Sequence, residues 1–339
     1  MLKIGVVGGN HGLVHVRNVL DSERAEIEAL CSRTGEFPDW ISFAPMYSNI
    51  DKFLDNHDFS AFVLAAPHFA NKHLFPKLIR SGKPILVEKP VGCSSDEIRQ
   101  FISDSEESDN QSILVGYHRR FSERLGNLKN ILDSGEIGEV KSFALMWCVK
   151  KNEDYFEVGK NKWKGDKFFG GGFSMINLSH EFDTLRYLFG DIDDITGIVR
   201  KKRFLQLEDS ACLTLGFSCG IVGSIVASDA LAGPYSYERS CGENPKFPHF
   251  DADHFLIFGS AATLAFPSFT LYYGEGDGDW HSVIRSKSLV MKPSSVDPLK
   301  AELDHFFDVV DGKVMPSITL RDALSVMELV EETERIGGL

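Results

Sequence analysis

The sequence predicts an α/β protein with two domains, an N-terminal doubly wound parallel sheet and a C-terminal α/β domain with an open, mainly antiparallel sheet. Short apolar runs alternate with helical patterns through the first third of the chain, which is typical of βαβ units and a parallel sheet. Beyond about Arg120, longer alternating runs follow one another without helices between them, which indicates antiparallel strands. The 339 residues, 43% of them hydrophobic, also exceed the ~250–300 residues of a single core.

The first domain is predicted to span residues 1–120. Its strands are expected at Leu2–Val7, Ile27–Cys31, Ala61–Ala65, Ile85–Val87 and Ile113–Val115. Helices are expected up to about Leu20, over Phe69–Ser81, and after a capping box in which Ser94 precedes Glu97 by three residues. This alternation predicts right-handed βαβ units.

The second domain is predicted to span residues 121–339 and to begin with a helix that reaches Leu132. Its strands are expected at Val140–Val149, Asp194–Arg203, Ala211–Phe217, Ile221–Ala227, Phe255–Phe258 and Leu264–Phe266. Two amphipathic helices follow, at about Pro298–Val310 and Leu320–Ile336. The sequence leaves open whether they pack back on the first domain.

Composition excludes several classes of partner. The net charge of −13 argues against nucleic acid and anionic membranes as ligands. No apolar run approaches the ~18 residues of a membrane helix, and the first residues do not resemble a signal peptide. The six cysteines form no C-x-x-C pair, so neither a metal site nor a disulfide framework is predicted. A cytoplasmic protein is expected.

A glycine-containing turn joins the first strand to the first helix. It consists of Gly8, Gly9, Asn10, His11 and Gly12. Glycines there let the backbone approach a pyrophosphate that rests on helix N–H groups, so the turn predicts a dinucleotide site. The G-x-G-x-x-G pattern is imperfect, since one residue is deleted or one glycine replaced, and an ordinary tight turn is the alternative.

The end of the second strand bears on the choice between NAD and NADP. An NAD site usually places an acid there for the ribose diol, whereas this chain has Ser32 and Arg33. A hydroxyl and a guanidinium suit a 2′-phosphate, which predicts NADP. The alternative is a solvated arginine, with NAD bound without selectivity at the 2′ position.

Glu88 and Lys89 follow the buried strand Ile85–Val87. The carboxyl end of a strand in an open α/β sheet is where ligands bind. A lysine that is partly desolvated beside a carboxylate can exchange protons with a substrate. A surface ion pair is the alternative interpretation.

A third group of residues follows the glycines at 170–172. Helical spacing places Asn177, His180 and Asp183 along one stripe. A basic cluster between Lys150 and Lys167 precedes them and contains Trp163 and Lys164. An anionic substrate could use this cluster, and a solvated basic loop is the alternative.

Together these residues resemble the glucose–fructose oxidoreductase and inositol dehydrogenase family, known as Gfo/Idh/MocA. The markers, taken in order, are the glycine turn, Ala66-Pro67-His68 with His73, Gly82–Pro90, Gly116–Phe121, Gly135–Val140, Gly170–Asp183 and Phe258–Ser260. The resemblance implies a Rossmann domain with a nicotinamide cofactor. It implies sugars, cyclitols, related polyols or their nucleotide-linked forms as substrates, and a homodimer or homotetramer formed through the open sheet.

The resemblance also implies roles for individual residues. Lys89 and His180 match the family's catalytic lysine and histidine, while its usual aspartate falls on Asn177, or on Ile176 in a shifted register. Asparagine can orient a hydroxyl but cannot take its proton. Further expected contacts are Ala66, Pro67, His68, Glu88 and Lys89 with the cofactor, and His118, Trp163, Lys164, Asn177, His180 and Asp183 with the substrate.

The sequence therefore predicts an NAD(P)-dependent oxidoreductase. It would transfer a hydride between nicotinamide and a secondary alcohol or ketone of a sugar, cyclitol, sugar acid or nucleotide sugar. One alternative is a nucleotide-binding regulator without turnover, suggested by the missing aspartate. Another is hydrolysis or epimerisation of a glycoside through transient oxidation, with the cofactor bound throughout.

Overall fold

The computed structural model describes residues 1–157, 159–201, 206–276, 278–291 and 296–339. The chain divides into two compact units, neither of which is continuous in sequence. The first unit contains Met1–His118 and Leu299–Glu328, and the second contains Arg119–Pro298 and Leu329–Leu339.

The first unit is built on a parallel sheet, which confirms the doubly wound prediction. In the described chain the sheet has six strands in the order β3-β2-β1-β4-β5-β6. They are β1 (Leu2–Val7), β2 (Ala25–Cys31), β3 (Met46–Tyr47), β4 (Ala61–Leu64), β5 (Ile85–Glu88) and β6 (Ile113–Gly116). The helices between them are α1 (Gly12–Leu20), α2 (Ile50–Asp55), α3 (Asn71–Ile79) and α4 (Ser95–Glu107).

Burial explains the apolar runs in the strands β4, β5 and β6 of this sheet. Every residue of β4, β5 and β6 is buried, because helices cover both faces of a parallel sheet. The strand order reverses between β1 and β4, which pair in parallel from Ile4 to Val7. In open α/β sheets such a reversal creates the crevice where ligands bind.

The second unit contains a mixed, mainly antiparallel sheet, again as predicted. Its described strands lie in the order β14-β13-β12-β11-β7-β10-β9-β8, and only β7 and β10 pair in parallel. They are β7 (Val140–Cys148), β8 (Ile192–Arg200), β9 (Ser210–Phe217), β10 (Val222–Ser228), β11 (Phe255–Gly259), β12 (Thr263–Phe266), β13 (Thr270–Gly274) and β14 (Ile284–Ser288). The helices are α5 (Glu123–Asp133), α6 (Asp154–Glu157), α7 (Ser179–Phe189) and α8 (Tyr237–Cys241). Residues 202–203, which end the predicted strand 194–203, lie outside the described residues.

The two faces of this sheet differ in burial. Phe143 and Trp147 of β7 lie on the buried face, where they stack on Phe189 and Phe173 at ring distances of 5.5 and 5.9 Å. The chain from Phe173 through α7 therefore covers this face. The opposite face exposes apolar side chains on β8 and β10, the two strands that flank β9, including Ile198 (55%), Val222 (53%) and Val226 (40%).

Two helices close the chain, α9 (Pro298–Val310) and α10 (Leu320–Ile336). Within the first unit, the N–H of Val115 in β6 donates to the carbonyl of Ile318 at 3.0 Å. Arg24 also pairs with Asp308 of α9 at 2.7 Å. Among the described helices, none combines the length and apolarity needed to cross a membrane.

Candidate functional site

The predicted cofactor residues lie along one edge of the first sheet. Gly8 follows β1, Ser32 follows β2, Ala66 lies beyond β4, and Lys89 follows β5. Because all these strands are parallel, their carboxyl ends meet at the same edge. His118, beyond β6, lies at this edge as well and is half-buried.

The glycine turn has the backbone that a pyrophosphate site requires. Gly8 has φ +135°, and a Cβ there would lie 2.3 Å from the carbonyl oxygen of Ala65, so only glycine fits. In the described part of the chain, the N–H groups of Gly9, Asn10 and Gly12 have no hydrogen-bond acceptor. These donors at the start of α1 fit an anionic group such as a pyrophosphate.

Ser32 and Arg33 form the turn after β2. The Gly35 N–H donates to the Ser32 carbonyl at 3.0 Å and to its hydroxyl at 3.2 Å, which fixes the turn. Arg33 is exposed and, within the described residues, has neither an ion-pair nor a hydrogen-bond partner. Its guanidinium is thus available to a phosphate, while Glu36, also exposed, is the nearest acid along the chain.

Glu88 is held by two histidines at the start of α1, a contact that the sequence did not predict. Its Oε1 lies 2.7 Å from His15 Nε2 and 3.0 Å from His11 Nε2. Burial disfavours the charged carboxylate, but His11 and His15 hold the pKa of Glu88 well below its ordinary value. The spacing of the two histidines, four residues apart on a helix, was the available signal.

His11, His15 and Glu88 have the residue types of a metal site, and their possible ligand atoms lie within 4.8 Å of one another. The carboxylate oxygen of Glu88 already lies at hydrogen-bond distance from both rings. We therefore interpret the cluster as a hydrogen-bonded unit that fixes Glu88 beside Lys89. Lys89 is half-buried, and His68, beyond β4, is 3% exposed.

In the second unit, the glycines at 170–172 lead into a π-helical turn, Ser174–Leu178, and then into α7. Gly172 has φ +107°, and a Cβ there would meet Glu208 Oε1 at 2.7 Å. The same oxygen accepts the Ser174 N–H at 2.7 Å. A buried carboxylate thus caps the turn that places Asn177 and His180.

Asn177 contacts a lysine at the carboxyl ends of the parallel pair β7 and β10. Lys151, beyond β7, donates from Nζ to Asn177 Oδ1 at 2.6 Å. The Lys151 N–H donates to the carbonyl of Asp229, beyond β10, at 2.8 Å, and their charged groups lie 3.8 Å apart. The sequence predicted neither contact.

Asp183 forms an ion pair that the sequence did not predict. Its carboxylate accepts from Arg120 Nε at 3.1 Å to each oxygen and from Nη2 at 2.6 Å, and the residue is 1% exposed. Such a bidentate ion pair fixes the position of the carboxylate, and a contact of Asp183 with the substrate stays a prediction. His180, one turn earlier, is 8% exposed.

Lys164 and Trp163 lie in the segment before the glycines. Lys164 Nζ lies 4.2 Å from the ring centre of Tyr155 and 5.9 Å from that of Trp163. Burial lowers the pKa of the Lys164 ammonium. Lys151 lies 4.6 Å from the same Tyr155 ring, so both cations border one aromatic side chain.

Comparison with known families accounts for both units. Residues 2–117 match the model described as "Oxidoreductase family, NAD-binding Rossmann fold", and residues 126–265 match the "GFO/IDH/MocA C-terminal domain". The two matches follow one another along the chain, as the two halves of this family do.

Relatives span most of the chain at low identity. The rhizopine catabolism protein MocA of Rhizobium meliloti is 28% identical over 337 residues, 97% of this chain and 93% of that protein. Inositol 2-dehydrogenase 1 of Saccharopolyspora erythraea is 25% identical over 259 residues, 71% of this chain and 70% of that protein.

A solved structure shares the fold. The WlbA dehydrogenase of Bordetella pertussis, in complex with NADH and UDP-GlcNAcA, superposes with a TM-score of 0.77. It is 18% identical, and the match covers 99% of this chain and 96% of that one.

Proposed function

Because the chain belongs to the GFO/IDH/MocA family of oxidoreductases, we propose that it transfers a hydride between a nicotinamide cofactor and a secondary alcohol or ketone of a carbohydrate-like substrate. The observation that carries the proposal is one edge of the first sheet, where the unpaired N–H groups of the glycine turn follow β1 and Lys89 follows β5, two parallel strands with β4 between them. Inositol 2-dehydrogenase among the relatives and a nucleotide sugar in a similar fold support cyclitols, sugars, sugar acids and nucleotide sugars as the substrate class.

The protein's contribution would be binding, orientation and proton transfer. The bound cofactor supplies or accepts the hydride at its nicotinamide ring. The N–H groups of Gly9, Asn10 and Gly12 would hold the pyrophosphate, Ser32 and Arg33 the adenosine ribose, and Ala66, Pro67, His68 and Glu88 the nicotinamide half.

Lys89 and His180 would handle the proton of the reacting hydroxyl. In oxidation one of them takes this proton, and in reduction it gives the proton back, which typically contributes ~10²–10⁴-fold. Asn177, held by Lys151, would orient the substrate or the histidine, because an amide cannot accept the proton. His118 and Trp163 would contact the substrate.

A substrate screen tests this function. Sugars, cyclitols, sugar acids and nucleotide sugars would be incubated with oxidised cofactor while the absorbance of reduced cofactor is followed. Release of reduced cofactor with at least one class supports the dehydrogenase. A product formed without net reduction indicates transient oxidation instead, and cofactor binding without turnover of any class contradicts the proposal.

Arg33 is expected to give the protein a preference for NADP(H) over NAD(H). The guanidinium has no partner among the described residues, and a charge-assisted contact with a 2′-phosphate contributes ~1.5–3 kcal/mol. Arg33→Ala should therefore weaken NADP binding at least ~10-fold and leave NAD binding nearly unchanged, as measured by titration of both cofactors.

Glu36→Gln tests the competing interpretation, in which an acid of this turn holds the ribose diol of NAD. In that case the wild type would prefer NAD, and Glu36→Gln would weaken NAD binding. Equal affinities for the two cofactors, or an NAD preference unchanged in Arg33→Ala, would remove the NADP assignment.

The open face of the second sheet is the proposed contact between subunits of a homodimer or homotetramer. Ile198, Val222 and Val226 expose apolar surface on β8 and β10, and contiguous patches of this kind mark interaction sites. Val226→Glu should shift the sedimentation coefficient toward that of the 37.8 kDa monomer. A wild type that sediments as a monomer at all concentrations contradicts the proposal.

A further inference from the structure

We propose that Lys164 and Lys151, which share the ring of Tyr155, bind a carboxylate of the substrate and so select acidic carbohydrates. This inference rests on the proposed function, because the anion would be part of the molecule that is oxidised or reduced. It narrows the substrate class to polyols or sugars that carry one negative charge.

Lys164 is a cation without a counter-ion. Among the described residues, no carboxylate lies within 4.0 Å of its Nζ, and its contacts are the Tyr155 and Trp163 rings. Lys164 is half-buried in a chain with a net charge of −13. The aromatic rings stabilise the cation without neutralising it, which leaves its charge available to an anion.

The two lysines are close enough to act together. Their ammonium groups lie 4.2 and 4.6 Å from the centre of the Tyr155 ring, so the two groups are at most about 9 Å apart. The proposal places one carboxylate so that it accepts hydrogen bonds of ~2.8 Å from both ammonium groups.

The pair adjoins the residues assigned to the substrate. Lys151 donates to Asn177 at 2.6 Å, and the carbonyl of Lys164 accepts the Gly172 N–H at 3.1 Å. All of these residues belong to the second unit. An anionic group at Lys164 would therefore lie near the amide that is expected to orient the reacting part of the same molecule.

Local charge favours a carboxylate over a phosphate. Asp229, 1% exposed, lies 3.8 Å from Lys151 and offsets one of the two positive charges. The remaining single charge matches a monoanion. Burial lowers the pKa of Lys164, so this side chain loses its charge at a lower pH than an exposed lysine does. As the pH rises, affinity for the anion should therefore begin to decline earlier than it would at an exposed lysine.

Direct binding tests the proposal without requiring turnover. D-glucuronate, D-glucose and D-glucose 6-phosphate would be titrated by calorimetry into the full chain, with and without saturating cofactor. We expect glucuronate to bind to the wild type more tightly than glucose does. Lys164→Met should weaken the binding of glucuronate at least ~10-fold, the lower range for losing a hydrogen bond to a charged group. The binding of glucose should be unaffected. Lys162→Met, at an exposed lysine of the same segment, is the matched control and should bind as the wild type does.

Three results with the wild type would overturn the proposal: equal binding of glucuronate and glucose, no binding of glucuronate, or tighter binding of D-glucose 6-phosphate than of glucuronate. A Lys164→Met variant that binds glucuronate normally and has an unchanged melting temperature would overturn it as well. If glucuronate binding depends on Lys164 but no substrate is ever turned over, the proposed function fails and the anion site stands. If neutral polyols are turned over without any preference for acids, the anion site fails alone.

Discussion

Replacing Lys89 by methionine is expected to lower turnover at least ~100-fold, the lower range for removing a general acid–base group. Lys89 directly follows Glu88 at the end of β5, and methionine keeps most of its volume without an exchangeable proton. Cofactor affinity should stay roughly unchanged, because the turn after β1 and the turn after β2 supply the main expected contacts with the cofactor. Steady-state rates with a substrate from the screen, together with cofactor titration, measure both quantities.

Lys83 offers a matched control for this experiment. It lies just before β5, is 44% exposed in its side chain, and pairs with Asp58 at 3.7 Å. Lys83→Met removes a lysine from the opposite end of the same strand and should leave turnover unchanged.

Asn177→Ala should lower turnover less than Lys89→Met does, since an amide only orients the substrate or the histidine. Near-normal turnover by Lys89→Met would refute the proposed mechanism.

Replacing Arg119 by methionine is expected to destabilise the second unit by ~3–5 kcal/mol, the cost of breaking a buried ion pair. Arg119 is 1% exposed and donates to Glu181 of α7 at 2.8 Å and to Glu238 of α8 at 2.5 Å. Its guanidinium also lies 4.4 Å from the ring centre of Tyr237. Burial alone would lower the pKa of Arg119, but the carboxylates of Glu181 and Glu238 raise this pKa above its ordinary value.

Denaturant unfolding of the variant gives the free-energy change. Arg285→Met is the control, because the Arg285–Glu275 pair is more than half exposed on the arginine side and such pairs contribute ~0–1 kcal/mol. A second substitution, Glu181→Leu in the Arg119→Met background, should recover part of the lost stability, because it removes a buried carboxylate that no longer has Arg119 beside it. A loss in Arg119→Met no larger than that in Arg285→Met would show that the network is not stabilising.

The first sheet was predictable because burial on both faces leaves a direct mark on the sequence. Strands β4, β5 and β6 contain short apolar runs. A proline follows β4 and β5 within three residues, and β6 ends at Gly116. Strand β14 was missed since all five of its residues are exposed, so that no alternation distinguishes them from a loop. Strand β3 was missed because it has only two residues.

The candidate site was predictable only as far as local spacing determines position. Asn177 lies in a π-helical turn and Asp183 in α7, so regular α-helical spacing does not hold along this stretch, and the sequence did not show that Asp183 meets Arg120. The contact of Lys151 with Asn177 depends on the parallel pairing of β7 with β10, strands more than 70 residues apart. No local pattern encodes a pairing of that range.

The discontinuity of the first unit sets an order for folding during protein synthesis. The unit's N-terminal part ends at His118, but its remaining residues, Leu299–Glu328, are made only after the 180 residues from 119 to 298. At ribosomal rates of 5–20 residues per second this interval is roughly 10–40 s. Until then the N–H of Val115 lacks its acceptor at Ile318, and Arg24 lacks its partner Asp308. Every described strand of the second unit's sheet is thus synthesised before the first unit has all of its residues.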